Sequence, residues 1–158
     1  MKKRLSLSSF NLTALGTLII IAGTLLATAC ADASREIEIS GNEAAAIKTL
    51  RNLAVNQRLY YKQHAGNAYG TFDQLVADVS LDKKFAGDAP VVGGYIFTMR
   101  ITPKVSGQPP FFSINADPVS SEGPRMTGKK HYYMDANSDD VKVNGQRPAG
   151  PDDPPFAQ

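Results

Sequence analysis

An uncharged apolar stretch near the start of the chain constrains its fold more than any other feature. A basic cluster, Lys2 to Arg4, opens the sequence, and no charged residue follows until Asp32. Between them, Leu12 to Leu26 is an apolar run of fifteen residues. A basic start, an apolar run and small residues at its exit are together typical of an export signal. We therefore predict that residues 1–31 form a signal peptide or a membrane-anchor helix.

The only cysteine, Cys30, allows three interpretations of this segment. The stretch Leu26-Ala27-Thr28-Ala29-Cys30 resembles a bacterial lipobox, in which the cysteine is acylated and becomes the mature N-terminus. The leucine stands four residues before the cysteine, however, where the lipobox prefers three. Ala27-Thr28-Ala29 also fits the cleavage rule of ordinary signal peptidase. Finally, the twenty uncharged residues 12–31 would form a helix about 30 Å long, enough to span a bilayer. Cys30 is therefore the candidate lipidation site, with the other two interpretations open.

The charge balance of the remaining chain predicts no nucleic-acid partner. Without residues 1–31, fourteen Lys and Arg stand against fifteen Asp and Glu, a formal net charge of −1. The sequence pI of about 8.7 therefore reflects the targeting segment. A basic patch with interleaved aromatic residues, which nucleic-acid binding would require, is absent from the sequence.

Helical periodicity begins after a polar connector, which we predict at residues 32–41. Apolar residues then recur at three- and four-residue spacing, which predicts a helix from Asn42 to His64. Ser40 and Glu43 would form a capping box at its start, and Thr71 with Gln74 predicts a second, short helix through about Asp78. The predicted buried stripe of the first helix comprises Ile47, Leu50, Leu53, Ala54, Gln57, Tyr60, Tyr61 and His64.

After Gly93 the periodicity changes to that of strands. "GGYIFTMRI" alternates, and "FFSINADPV", "KHYYMD" and "VKVN" predict three more strands, separated by turns. The last residues, 147–158, carry four prolines and predict an irregular tail. We therefore predict an α+β domain over residues 42–146, in which one long amphipathic helix packs on an antiparallel sheet of three or four strands.

Three segments of the sequence resemble type IV pilins and type II secretion pseudopilins. They are "NEAAAIKTLRNLAVNQRLYYKQHAGNAYGTFDQL", "GGYIFTMRITP" and "KKHYYMDANSDDVKVNGQRPAGPDDPPF", and together they extend over residues 42–156. The resemblance implies a pilin-like fold, an exported and membrane-anchored protein facing the periplasm or the cell surface, and other pilin-like subunits as partners. The N-terminus departs from the family, because Ser9 stands where prepilins have the cleavage-site glycine and Ala14 where they have a glutamate.

This departure leaves two functional interpretations. In the first, the protein is a non-enzymatic pilin-like module, anchored as a lipoprotein, with a structural or binding role at the cell envelope. In the second, it is a divergent pilin or pseudopilin subunit of a pilus or secretion system. No motif of a nucleophile, a metalloenzyme or a phosphate-binding loop occurs in the sequence, so no catalytic residue and no cofactor are predicted.

The acidic stretch "DANSDD" raises one metal hypothesis. Asp135, Asn137, Asp139 and Asp140 place oxygen donors at spacings that suit calcium. Asp140 stands where a calcium loop needs glycine, and Gln146 where it needs glutamate. Asp and Asn also favour turns through local side-chain hydrogen bonds, so a hairpin turn is the competing interpretation.

Overall fold

The computed structural model describes residues 12–65 and 67–157, with side chains described from residue 32 onward. The chain divides into two compact units, the first ending at Ile37 and the second extending from Glu38. The elements, in chain order, are helix α1 (Leu12–Gln63), helix α2 (Phe72–Asp78), a 3-10 helix (Lys83–Phe85), and strands β1 (Val91–Val92), β2 (Tyr95–Thr102), β3 (Phe111–Pro118), β4 (His131–Asp135) and β5 (Ser138–Asn144). The predicted α+β class is confirmed.

Helix α1 starts earlier than predicted. The predicted connector, residues 32–41, is helical throughout, and Ser40 therefore does not cap the helix. The segment contains no proline, and extending a helix that is already formed costs far less than nucleating a new one. Gly41 costs about 1 kcal/mol relative to alanine in a helix interior, which is too little to end it. The C-terminal end at Gln63 is one residue from the predicted position.

The second unit is built on the predicted stripe of α1. Leu50, Leu53 and Ala54 are fully buried in one apolar cluster with residues from the inner face of the sheet, including Phe97 and Ile114. Each buried leucine contributes about 1.5–3 kcal/mol relative to an exposed one. Gln57 and Tyr60 are also buried. The prediction was wrong for the last two members of the stripe, because Tyr61 is half-buried and His64 is exposed.

The sheet has five antiparallel strands in the order β1-β2-β3-β4-β5, so the prediction of three or four strands was too low. The additional strand is β1, whose Val92 pairs with Tyr95 across a turn of two glycines. Gly93 and Gly94 have φ angles of 57° and 75°. Positive φ at both central residues is typical of a type I′ turn, which only glycine and a few other residues adopt readily.

Gln57 connects α1 to the loop that follows it. Its side-chain amide nitrogen donates to the carbonyl of Gly70 at 2.6 Å, and its amide oxygen accepts from the Gly70 amide at 3.0 Å. Gly70 lies directly against the Tyr60 ring, where a Cβ atom would approach ring carbons to 2.9 Å. From this loop the chain enters α2, and the predicted capping box of Thr71 and Gln74 is confirmed.

The described part of the tail, residues 147–157, is irregular as predicted but packs on the sheet. The Asn115 side-chain amide donates to the carbonyl of Ala149 at 2.7 Å. The tail then follows β5, where the Val143 amide donates to Pro154 and the Phe156 amide to Val141, at 3.0 and 2.7 Å. This pairing covers the edge of the sheet, which would otherwise present open hydrogen-bonding groups to other chains.

Replacing the Gln57 amide is expected to destabilise the fold. Gln57→Leu keeps the size of the side chain but leaves the buried amide and carbonyl of Gly70 without partners, at about 1–3 kcal/mol for each group. We expect chemical denaturation to show that the free energy of unfolding falls by about 2–6 kcal/mol. The matched control is Gln63→Leu, the same substitution at an exposed position of the same helix, which is expected to stay within about 0.5 kcal/mol of wild type. Equal stabilities for the two variants would contradict the role given to Gln57.

Candidate functional site

Cys30 lies in the helical part of the first unit, and its side chain is outside the described residues. Ser9 lies outside them as well, and so does the side chain of Ala14. The geometry therefore bears on the lipidation prediction only through the helical backbone of residues 12–31. Among the residues with described side chains, no helix is long and apolar enough to cross a membrane.

The predicted calcium residues form the tip of a tight hairpin. Asp135 pairs with Ser138 across two turn residues, and its carboxylate accepts hydrogen bonds from the Asn137 amide at 2.8 Å and the Tyr133 hydroxyl at 2.9 Å. Asp139 instead forms an ion pair with Arg58 of α1. The Asp140 amide donates to the Ser138 hydroxyl at 3.0 Å.

These bonds direct the acidic side chains to different partners. The Asp135 carboxylate is buried and holds the turn, whereas the Asp139 side chain is 78% exposed. Within residues 32–65 and 67–157, no group of three or more His, Cys, Asp or Glu side chains is arranged to hold a metal ion. The turn interpretation accounts for this local geometry, and the calcium interpretation gains no support from it.

One carboxylate–imidazole pair joins neighbouring strands and was not predicted. The Nδ1 atom of His131 lies 2.6 Å from Oδ1 of Asp117, and this contact is an ion pair when the imidazole is protonated. Ser113 shares the strand face with Asp117 but is four residues away, about 13 Å along β3. That distance is beyond hydrogen-bond reach of the pair, so the three residues do not form a nucleophile and its base.

One concave site of the second unit is a groove between α1 and the tail. We call it the α1–tail groove; its volume is about 420 Å³. Its apolar surface comes from Ile47 of α1, Tyr132 of β4 and Phe156 of the tail. Three positively charged side chains also line it, namely Lys48, Arg51 and Lys130. The rings of Tyr132 and Phe156 meet edge to face at 6.0 Å. The remaining lining residues are Ser40, Glu43, Ala44 and Asn52.

Glu43 organises one end of the groove. Its carboxylate accepts from the Lys129 amide at 2.9 Å and from the Tyr132 hydroxyl at 3.3 Å, and Lys130 Nζ lies 3.4 Å away. Burial, reinforced by the negative charge of Glu43, raises the pKa of Tyr132 well above its usual value. Burial and Glu43 also raise the pKa of Tyr95, whose hydroxyl donates to the Lys130 carbonyl. Both phenols therefore remain neutral donors at physiological pH.

Sequence reasoning did not find this groove, because its residues come from distant parts of the chain. Ile47 was predicted to be a core residue and Glu43 to cap the helix. Both predictions were based on residues that are close in sequence. Lys130 and Phe156 reach the helix only through the sheet topology and the path of the tail. The aromatic residue after the prolines was the one available sequence signal that the tail packs on the domain.

Comparison of the chain with models of known protein families, with curated proteins and with solved structures finds no match. The site is therefore interpreted from its own geometry.

Calcium is expected to leave the stability of the protein unchanged. A ligand at one hundred times its dissociation constant would stabilise the fold by about 2.7 kcal/mol, which shifts the melting temperature by several degrees. Because the Asp135 carboxylate already holds the turn and the Asp139 carboxylate already forms an ion pair, we expect millimolar calcium to shift the melting temperature by less than about one degree. An increase of several degrees that disappears in Asp139→Asn would contradict this expectation.

The buried tyrosines are expected to make the fold sensitive to high pH. Burial and the hydrogen bond to Asp135 raise the pKa of Tyr133 to about 12. Because this pKa is raised by folding, its contribution to stability is complete below about pH 10, the ordinary tyrosine pKa, and is lost as pH rises towards 12. The free energy of unfolding should therefore fall over this range, and less steeply in Tyr133→Phe. The matched control is Tyr61→Phe, at a half-buried position, which is expected to keep the wild-type pH dependence. A wild-type slope in Tyr133→Phe would refute the assignment of this pH dependence to Tyr133.

Proposed function

We propose that the protein is a non-enzymatic, exported, pilin-like module anchored at the bacterial cell envelope. It faces the periplasm or the cell surface and has a structural or binding role there. Its membrane partner is engaged through the N-terminal segment, by acyl chains on Cys30.

Helix α1 carries this proposal. One helix, Leu12–Gln63, contains both the uncharged apolar stretch and the stripe that is buried under the antiparallel sheet. A small meander sheet packed on a single N-terminal helix is the architecture that the resemblance to pilins implies. Anchoring and core formation are then assigned to successive segments of the same helix.

The proposed absence of catalysis is supported by the chemistry of the polar groups. The buried phenols of Tyr132 and Tyr133 donate to carboxylates and have raised pKa values, which is the opposite of what an activated nucleophile requires. Ser113, on the same face of β3, is about 13 Å from Asp117, too far to be activated by the Asp117–His131 pair. Exposed side chains and the α1–tail groove are better suited to binding than to covalent chemistry.

A second candidate function is a divergent subunit of a type IV pilus or a type II secretion system. The unbroken helix favours it, because processing after Ser9 would retain all of α1, whereas processing at Cys30 would remove Leu12–Ala29. Subunits of such assemblies keep an apolar helix through which they contact other pilin-like subunits. The residues at positions 9 and 14 are the evidence against this candidate.

Intact-mass measurement of the protein purified from membranes separates the two candidates. We expect a mature chain that begins at Cys30 and carries acyl groups. Cys30→Ala should abolish both the acyl mass and membrane retention, because each buried methylene of an acyl chain contributes about 0.8 kcal/mol to anchoring.

The matched control is Ser34→Ala, four residues further on, which should leave mass and fractionation unchanged apart from the side-chain difference. A mature chain that begins at Phe10 would replace the lipoprotein by the pilin-subunit candidate. Retention of Met1 together with unchanged fractionation of Cys30→Ala would reject lipidation and indicate an uncleaved helix.

A further inference from the structure

We propose that the α1–tail groove binds a small organic anion that carries an apolar group, of the alkyl- or aryl-carboxylate class. The inference concerns the second unit alone and does not depend on how the N-terminal segment is processed. It is based on the charge around the groove, the apolar surface inside it, and the way in which its one carboxylate is already engaged.

The charges of the groove favour an anion. Lys48, Arg51 and Lys130 line it, against the single carboxylate of Glu43. That carboxylate is 13% exposed and already accepts two hydrogen bonds besides its contact with Lys130. Lys48 is exposed and has no ion-pair partner among the described residues.

The position of the charges along α1 indicates where the anionic group binds. Glu43 and Arg51 are eight residues apart, about 12 Å along the helix axis. The Glu43 carboxylate is also paired with Lys130 Nζ at 3.4 Å, and this neighbouring positive charge reduces its repulsion of an anion further along the helix. The carboxylate of the ligand therefore binds at the Lys48 and Arg51 end.

The apolar surface accounts for the rest of the ligand. Ile47 and Tyr132 are buried at the base of the groove, and the partly buried Phe156 adds an aromatic face. A volume of about 420 Å³ lies within the range of small-molecule sites, roughly 300–1,000 Å³. The Tyr132 hydroxyl is committed to Glu43, so this ring contributes apolar contact and no donor to the ligand.

The proposal is tested by titrating the full chain, in nanodiscs of zwitterionic phosphatidylcholine, with n-octanoate. Isoleucine methyl groups are labelled and observed by NMR, with empty nanodiscs as the blank for partitioning. We expect saturable shifts of Ile47, with a dissociation constant on the order of millimolar for a ligand of this size. Ile101, which is partly buried at a different part of the surface, serves as the internal reference.

Two further probes separate charge from apolar contact. n-Octylammonium has the same chain and the opposite charge, and acetate has the charge without the chain. Both are expected to bind at least about tenfold more weakly than octanoate. Equal binding of octylammonium, or shifts of Ile47 that do not saturate, would overturn the proposal.

The matched variants are Lys48→Gln and Lys62→Gln, which remove the same charge from exposed positions of the same helix. Only Lys48 lines the groove. We expect Lys48→Gln to weaken octanoate binding about three- to tenfold and Lys62→Gln to leave it within twofold, with unchanged thermal unfolding in both. Equal affinities of the two variants for octanoate would overturn the assignment of the anion site.

Discussion

Burial of one face of α1 under the sheet is the interaction on which the rest of the second unit depends. Leu50, Leu53 and Ala54 lose all contact with solvent, and the same cluster contains Phe97, Phe112 and Ile114 from the central strands. The face also includes Gln57, a polar residue at a position that periodicity assigns to the core. The Gln57 side-chain amide holds the loop after α1 through Gly70. Adjacent turns of the same helix therefore supply the apolar contact with the sheet and fix the path of the chain after the helix.

The groove follows from this packing together with the path of the tail. The sheet covers the stripe of α1 but leaves Ile47 at the border of the core, where the tail brings in Phe156. The tail reaches this place along β5, an edge strand whose open hydrogen-bonding groups pair with Pro154 and Phe156. Protection of a sheet edge and formation of a concave surface are therefore consequences of the same contact.

Patterns local in sequence predicted the fold well, whereas contacts between distant residues escaped prediction. The capping box at Thr71 and the buried stripe from Ile47 to Tyr60 depend on neighbouring residues, and they are as expected. The stripe ends earlier than predicted, because Tyr61 is half-buried and His64 is exposed. The predicted start of α1 was wrong. A cap signal at Ser40 does not end a helix when the residues before it are helical as well. The pair Asp117–His131 and the groove around Glu43 depend on strand register and on the tail, which no periodicity in one sequence determines.

The described core of the second unit lies after both candidate cleavage positions, although α1 begins before the one at Cys30. Among the residues with described side chains, the buried apolar ones begin at Ile39, after both candidate cleavage positions. Cleavage at Cys30 would remove eighteen helical residues and keep every core residue whose side chain the structure describes. The described core of the second unit is therefore common to the proposed lipid-anchored and helix-anchored forms. Anchoring and binding are then separable properties of this chain, since the α1–tail groove begins at Ser40 and needs only the second unit.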